Sequence, residues 1–358
     1  MENNETECLL CRGTAKLKHN KYPGYQEPLT YKIYHCHTCN TGFSLPMDDS
    51  TVIYENIYKN GDKVPGYNRY WRYAKNIKKI SQPLDYLARN DDDYWSVKKA
   101  LEMFVKDKTS TKILEIGSGL GYLTYSLIKA DYKVIGLDVS QTAVTLAANT
   151  FGDHFICKDL FEYAESHPES YDIVILTEVI EHVNKPLDFI DSIIRLLKPG
   201  GRAIITTPNK SFYPLEVVWA SDLPPVHCWW LGEESMNFIA EKLNIGISFI
   251  NFREYFKMNY RVIGIRSLND NNLPKPFFNK NGELIKHAAS KGDLKFSLQL
   301  LLIKFHYLNK AAGKLQEYTK RIYGKSRKLL SPNVIVCKDR GNKLCAIMLK
   351  PLRNYNNE

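Results

Sequence analysis

No stretch of the sequence stays apolar long enough to cross a bilayer, and the most hydrophobic run, Leu298 to Ile303, stops at Lys304. The first seven residues carry Glu2, Glu5 and Glu7 where a secretory leader would place basic residues before an apolar run, so a cytoplasmic protein is expected. Disordered and fibrous chains are excluded as well, because 44% hydrophobic and 25% charged residues are close to the averages for folded domains. A length of 358 residues suits one full α/β domain with one or two smaller attachments.

Cysteine is sparse beyond the first forty residues. Cys157, Cys228, Cys337 and Cys345 are scattered, as free thiols in a reducing compartment would be. The other four form two close pairs, Cys8-Leu-Leu-Cys11 and Cys36-His-Thr-Cys39, separated by the spacing with which two knuckles bring four thiolates to a tetrahedral zinc ion. Four sulfurs close the coordination sphere and leave no position for water or substrate, so this metal would hold structure. A segment this short has a marginal core, whereas structural zinc contributes on the order of 10–16 kcal/mol in small peptides. Residues 1–47 therefore read as a zinc ribbon, with two disulfides or free thiols as the alternative and with His35 and His37 as bystanders.

A polar, tyrosine-rich connection follows over 48–110, with a helix expected through Tyr94 to Leu101. Beyond it, short apolar runs alternate with segments of helical period. Lys112 to Ile116, Lys133 to Leu137, His154 to Cys157, Asp172 to Leu176 and Arg202 to Thr206 read as strands, and Tyr122 to Ala130, Gln141 to Asn149 and Pro186 to Leu197 as helices. That alternation predicts a doubly wound, mostly parallel sheet with helices on both faces, which binds ligands beyond the carboxyl ends of its strands. The residues just after each strand are thus the candidates for chemistry.

After the first of these strands stands Glu115-Ile-Gly117-Ser-Gly119-Leu-Gly121, a turn whose glycines let backbone approach a ligand closely. A dinucleotide fingerprint would place glycine at 122, where this chain has Tyr122. The second strand ends at Asp138, an acid placed to accept from both hydroxyls of a ribose, so a nucleoside is implied. After the third strand, Asp159 is placed to accept from an adenine amino group, with Val139 and Leu160 closing on the ring from either side.

Ile113 to Gly121, Gly136-Leu-Asp138, Glu178-Val-Ile-Glu-His-Val183 and Leu197-Lys-Pro-Gly-Gly201 resemble, in order and spacing, the successive motifs of class I S-adenosylmethionine-dependent methyltransferases. The resemblance covers roughly residues 85 to 255 and is similar in style to ubiquinone-biosynthesis O-methyltransferases and sugar C-methyltransferases. The latter also begin with a paired-cysteine zinc segment, although the carboxy-terminal α/β domain usual among them is not evident here. The resemblance implies a seven-stranded sheet, S-adenosylmethionine as cofactor, and a cofactor site made of Glu115, Gly117, Gly119, Gly121, Asp138, Val139, Asp159 and Leu160.

Thr177-Glu178-Val-Ile-Glu181-His182 follows the fourth strand and faces the expected position of the transferable methyl group. Three readings stand side by side: Glu178, Glu181 and His182 hold a divalent ion, as in some relatives; His182 takes the acceptor's proton as general base; or Glu181 and His182 only cap and pack the turn. Further on, His227, Trp229 and Trp230 read as an acceptor-site wall, or else as filling beneath a helix over Glu233 to Leu243.

The segments Ile247 to Phe252 and Lys343 to Lys350 resemble the fold's last two, hairpin-paired strands. About ninety residues are inserted between them, so the core is read as 111–255, a basic helical insertion as 256–335, and the final strand and tail as 336–358. The net charge of +10 is concentrated there, with eleven Lys and Arg against Asp293 and Glu317 between Lys286 and Lys328, which leaves the catalytic region near neutral. Leu294, Leu298, Leu301, Leu302, Phe305 and Leu308 recur at helical spacing. That basic amphipathic face over 294–328 reads as a lid with a solvated side, as a peripheral contact with an anionic membrane, or, least of the three, as a nucleic-acid contact. The expected function is methylation of a small molecule, a sugar or a polysaccharide- or lipid-linked intermediate. The alternatives are methylation of RNA or protein recognised by the ribbon, and a non-catalytic binding protein.

Overall fold

The computed structural model of the chain describes residues 4–213, 223–264, 273–285 and 334–353. The amino-terminal segment forms four antiparallel strands, β1 (Glu5–Glu7), β2 (Thr14–Pro23), β3 (Thr30–Cys36) and β4 (Thr41–Leu45). Each cysteine pair sits on a tight turn whose next residue, Arg12 or Asn40, is in the left-handed region at φ 64° or 49°. That backbone reversal brings the four thiols together. Four helices follow: α1 (Thr51–Asn60), α2 (Asn68–Asn76), α3 (Pro83–Asn90) and α4 (Asp92–Phe104).

The alternating region folds as β5 (Lys112–Ile116), α5 (Tyr122–Ile128), β6 (Lys133–Asp138), α6 (Gln141–Phe151), β7 (Phe155–Cys157), α7 (Leu160–Ser166), β8 (Tyr171–Thr177), α8 (Pro186–Leu196) and β9 (Leu197–Pro208). Local signals start the helices. The Ser140 hydroxyl accepts from Ala143 N–H at α6, the Asp159 carboxylate accepts from Phe161 and Glu162 N–H at α7, and Pro186 occupies the first turn of α8. A two-residue strand, β10 (Trp229–Trp230), precedes α9 (Glu233–Lys242), β11 (Gly246–Phe249) and α10 (Arg253–Met258). Beyond them β12 (Val262–Gly264) pairs with β13 (Val334–Val336), and β14 (Lys343–Leu349) comes last.

The main sheet has seven strands in the order β11-β14-β9-β8-β5-β6-β7, with β5 to β9 parallel and β14 antiparallel to both neighbours. The expected α/β class, seven-stranded sheet and terminal hairpin pairing are all present. Central strand β8 is buried on both sides, so its apolar run is continuous rather than alternating. Val174 and Leu176 join a core with α7, α8 and the ribbon, while Ile173 and Ile175 face the opposite core with α3, α4 and α5.

The ribbon does not end at its own fourth strand. Trp229 and Trp230 pair antiparallel with Phe43 and Gly42 and add a fifth strand to its sheet, a junction foreseen neither by an acceptor-site wall nor by filling beneath the next helix. The basic face expected over 294–328 lies outside the described residues. Among the described residues no helix is long and apolar enough to cross a membrane.

Candidate functional site

One cavity of about 1000 Å³ opens along the carboxyl ends of β5, β6 and β8. Its floor is the glycine turn, where Gly117, Gly119 and Gly121 all have positive φ, at 70°, 49° and 77°. Their constraints differ. A Cβ on Gly119 would meet nothing nearer than the Tyr58 hydroxyl at 3.9 Å, so that position is open to a ligand. On Gly121 it would lie 2.5 Å from Phe155 and 2.7 Å from Ala147. Gly121 is not among the cavity-lining residues, and its missing side chain makes room for Phe155 and Ala147.

The other expected cofactor residues line the cavity: Glu115, Gly117, Gly119, Asp138, Val139, Asp159 and Leu160. Asp138 Oδ2 accepts from Gly119 N–H at 2.7 Å and Oδ1 from Ser140 N–H at 2.8 Å, so this carboxylate braces the glycine turn as well as facing the cavity. Its burial pushes its pKa up against those hydrogen bonds. Asp159 uses Oδ1 to cap α7, at 2.8 Å from Phe161 N. Val139 is 73% exposed and Leu160 is buried, and both offer apolar surface to the cavity. Glu115 is buried, accepts from the Thr124 hydroxyl, and is pushed up to about 8 by desolvation, so it carries a proton at neutral pH.

The roof is tyrosine. Tyr54 and Tyr58 lie four residues apart on one face of α1, and Tyr67, Tyr70 and Trp71 come from the start of α2 and its approach. The sequence showed these residues only as a tyrosine-rich connection; the i, i+4 spacing of Tyr54 and Tyr58 was the available signal. Of the two readings of the 227–230 segment, the tryptophans follow the buried one. Trp229 and Trp230 are 1% and 2% exposed and lie outside the cavity, where they join the ribbon to the α/β domain. Of that trio only His227 lines the cavity.

The end of β8 divides its acids. Glu178, at φ 54°, turns to Lys343 and forms an ion pair with it. Glu181 is buried and accepts from the Thr207 hydroxyl at 3.0 Å. His182 Nδ1 contacts the Val226 carbonyl, which only accepts, so Nδ1 carries the hydrogen and Nε2 the lone pair of the neutral ring. His182 Nε2 lies 3.9 Å from Glu181 Oε1, and the His182 and His227 rings are 5.5 Å apart, edge to face. One donor atom each from Glu181, His182 and His227 falls within 4.8 Å of the other two. The expected Glu178, Glu181, His182 set is thus not the one brought together: a lysine takes Glu178, and His227 stands in the third place. Burial holds His227 down at about 3, so its ring is neutral.

At the ribbon, Cys8 Sγ is 3.7 Å from Cys39 Sγ and Cys11 Sγ is 3.5 Å from Cys36 Sγ. Four sulfurs about 2.3 Å from a common centre would be separated by about 3.8 Å, so the thiols fit a tetrahedral ion. A disulfide would require about 2.05 Å, and all eight cysteines are free.

The parallel sheet thus carries a glycine turn after β5 and an acid closing β6 at the edge where such sheets bind ligands. Residues 86–245 match the family model described as a methyltransferase domain. Among curated proteins the chain is similar to the ubiquinone biosynthesis O-methyltransferase of Aliivibrio fischeri, 35% identical over 119 residues, covering 31% of this chain and 51% of that protein. It is also similar to the enzyme of the same name from Vibrio cholerae, 30% identical over 163 residues, covering 44% of this chain and 62% of that one. The chain thus spans about half to three-fifths of the length of these relatives. Among solved structures, an S-adenosylmethionine-dependent methyltransferase from Archaeoglobus fulgidus aligns with 71% of this chain and 93% of its own, at 15% identity and a TM-score of 0.39.

Proposed function

We propose that the whole chain is an S-adenosylmethionine-dependent methyltransferase acting on a hydroxyl-bearing ring, a sugar or a glycan- or lipid-linked sugar intermediate. The observation that carries the reading is the continuity of the cavity, which joins the glycine turn and Asp138 at one end to His182 and His227 at the other. Gly117 and Gly119 would cradle the cofactor, Asp138 its ribose, and Asp159, Val139 and Leu160 its adenine. The acceptor would lie between Tyr54, His182 and His227, under Tyr25 of the ribbon and Phe277, whose rings are 4.7 Å apart. Aromatic faces with hydroxyl rims suit a neutral polyol ring, which offers C–H groups to the faces and hydroxyls to the rims.

Methyl transfer is an in-line displacement at carbon. Holding the acceptor oxygen and the methyl group on one axis supplies about 7–11 kcal/mol of the barrier. His182, oriented by the Val226 carbonyl, receives the acceptor's proton at Nε2, a contribution of roughly 10²–10⁴-fold. A second reading is favoured by the convergence of Glu181, His182 and His227, a carboxylate and two imidazoles that suit a divalent first-row ion. Bound there, such an ion would lower the pKa of the acceptor hydroxyl. Calorimetry with S-adenosylmethionine, followed by mass spectrometry of a sugar-nucleotide and glycan-intermediate panel, tests the proposal; absence of cofactor uptake overturns it.

The four ribbon thiols are proposed to hold structural zinc. The basic face over 294–328 is proposed as a peripheral contact with an anionic membrane, with co-sedimentation on anionic vesicles at physiological salt as its test.

A further inference from the structure

Three consecutive acids at the start of α4 are matched by cations from three distant parts of the chain. Arg69 of α2 lies 3.2 Å from Asp91, Arg261 pairs with Asp92, and Lys343 at the head of β14 lies 3.3 Å from Asp93. Lys343 is shared, because its ammonium also pairs with Glu178. Asp91, Asp92 and Asp93 are 7%, 2% and 2% exposed, and Lys343 is 9% exposed. Four carboxylates therefore face three cations, and the Lys343 ammonium is divided between Asp93 and Glu178. Two oxygens of this network, Asp93 Oδ1 and Glu178 Oε1, are buried without a hydrogen-bond partner. Desolvation pushes Asp93 up to about 7, as expected where a carboxylate is burdened by its neighbours.

The network reaches the cavity. Arg69, Glu178 and Lys343 all line it, and Glu178 follows β8, which neighbours the strand carrying the glycine turn. Glu178 is held there in a left-handed conformation, φ 54°, that a non-glycine residue adopts at a cost of about 1–3 kcal/mol and that recurs at functional sites. Its N–H is fixed to the Thr206 carbonyl at 3.0 Å.

We infer that this network selects the charge state of the cofactor: the Glu178 carboxylate, which has to share the Lys343 ammonium with Asp93, favours the cationic sulfonium over the neutral thioether product, and Lys343 is the positioning residue that holds that carboxylate at the cavity. The inference rests on the cavity being the S-adenosylmethionine site. In the reaction the carbon–sulfur bond breaks, its electron pair stays on sulfur, the methyl carbon bonds to the acceptor oxygen, and the acceptor's proton passes to the base. Sulfur thus loses its positive charge in the step. The attraction to Glu178 is present before transfer and gone after it, so the site releases product without moving a side chain.

The test is calorimetric titration of the full chain with S-adenosylmethionine and with S-adenosylhomocysteine, in the wild type and in Glu178→Gln, Asp93→Asn and Lys343→Arg. Glu178→Gln and Asp93→Asn are expected to weaken S-adenosylmethionine roughly tenfold, the scale of one partly screened unit charge, and to leave S-adenosylhomocysteine within about twofold. Lys343→Arg, which keeps the charge, should retain the wild-type preference. Equal weakening of both ligands, or no weakening of either, overturns the selector. If circular dichroism shows that Asp93→Asn does not fold, Glu178→Gln at the cavity edge decides alone. Failure of the wild type to bind either ligand would overturn the cofactor assignment itself, a result distinct from equal weakening.

Discussion

Trp229 and Phe43 face each other across an antiparallel pair that joins the ribbon to the catalytic domain, their rings 5.8 Å apart. The Trp229 indole N–H also donates to the Val183 carbonyl at 2.8 Å, next to His182. Truncating this buried ring is therefore expected to act at two places. Trp229→Ala should cost about 3–5 kcal/mol of stability, as a large core deletion does, and should lower turnover by loosening the segment that carries His182. Thermal denaturation and steady-state kinetics on the same preparation check both; full stability would show that the junction contributes nothing.

The ribbon thiols predict one zinc per chain. Cys36→Ser should lose the metal, read by elemental analysis, and should melt at lower temperature, because Cys8, Cys36, Cys39 and Phe43 share a core with the helices beside β8. A strong chelator should do the same to the wild type. Metal-free protein of undiminished stability would remove zinc from the account.

Asp138 braces Gly119 and Ser140 by two short hydrogen bonds and is also the proposed ribose ligand. Asp138→Ala should weaken cofactor binding by about 3 kcal/mol or more, since hydrogen bonds to a charged group contribute about 1.5–3 kcal/mol each. Calorimetry measures it, and an unchanged dissociation constant would displace the cofactor from this edge.

His182→Ala should reduce kcat by about 10²–10⁴-fold while S-adenosylmethionine affinity stays within about twofold. His227→Ala separates the two readings of this cluster. With His182 acting as base, activity should survive a mild chelator that leaves the ribbon zinc in place, as elemental analysis verifies, and His227→Ala should change mainly the acceptor KM. If an ion is held, chelation should abolish turnover, a divalent metal should restore it, and His227→Ala should resemble His182→Ala.

Glu115 has a pH signature. With its pKa raised from 4.5 to about 8 in the folded chain, it is protonated there while ionised in the unfolded chain between those values. The folded state thus binds the extra proton, and stability should fall as pH rises from about 4.5 to about 8 and level off above. Glu115→Gln should flatten that part of the profile in chemical denaturation across pH 5 to 8. A slope identical to wild type would assign the dependence elsewhere.

Much of this was legible in the chain itself because the signals are local. The strands β5 to β9 announce themselves as apolar runs, Pro186 and Ser140 mark helix starts, and the paired cysteines announce their own convergence. What stayed hidden depends on distant partners. Trp229 and Trp230 look like a binding wall until strand pairing buries them against Phe43 and Gly42. Glu178 looks equivalent to Glu181 until Lys343, 165 residues away, claims it. Gly121 belongs to the same turn as Gly119, yet its missing side chain makes room for Phe155 and not for a ligand. Neither periodicity nor spacing encodes these choices, because tertiary contact decides them.

Strand β14, the last of the described strands, lies between β9 and β11, which precede it. On a ribosome, β9, already paired with β8, waits with its other edge open and β11 waits without its sheet partner while about ninety residues are synthesised, roughly 5–20 s at ordinary elongation rates. The nascent domain therefore spends that interval with one open sheet edge, that of β9, where a chaperone would be expected to bind.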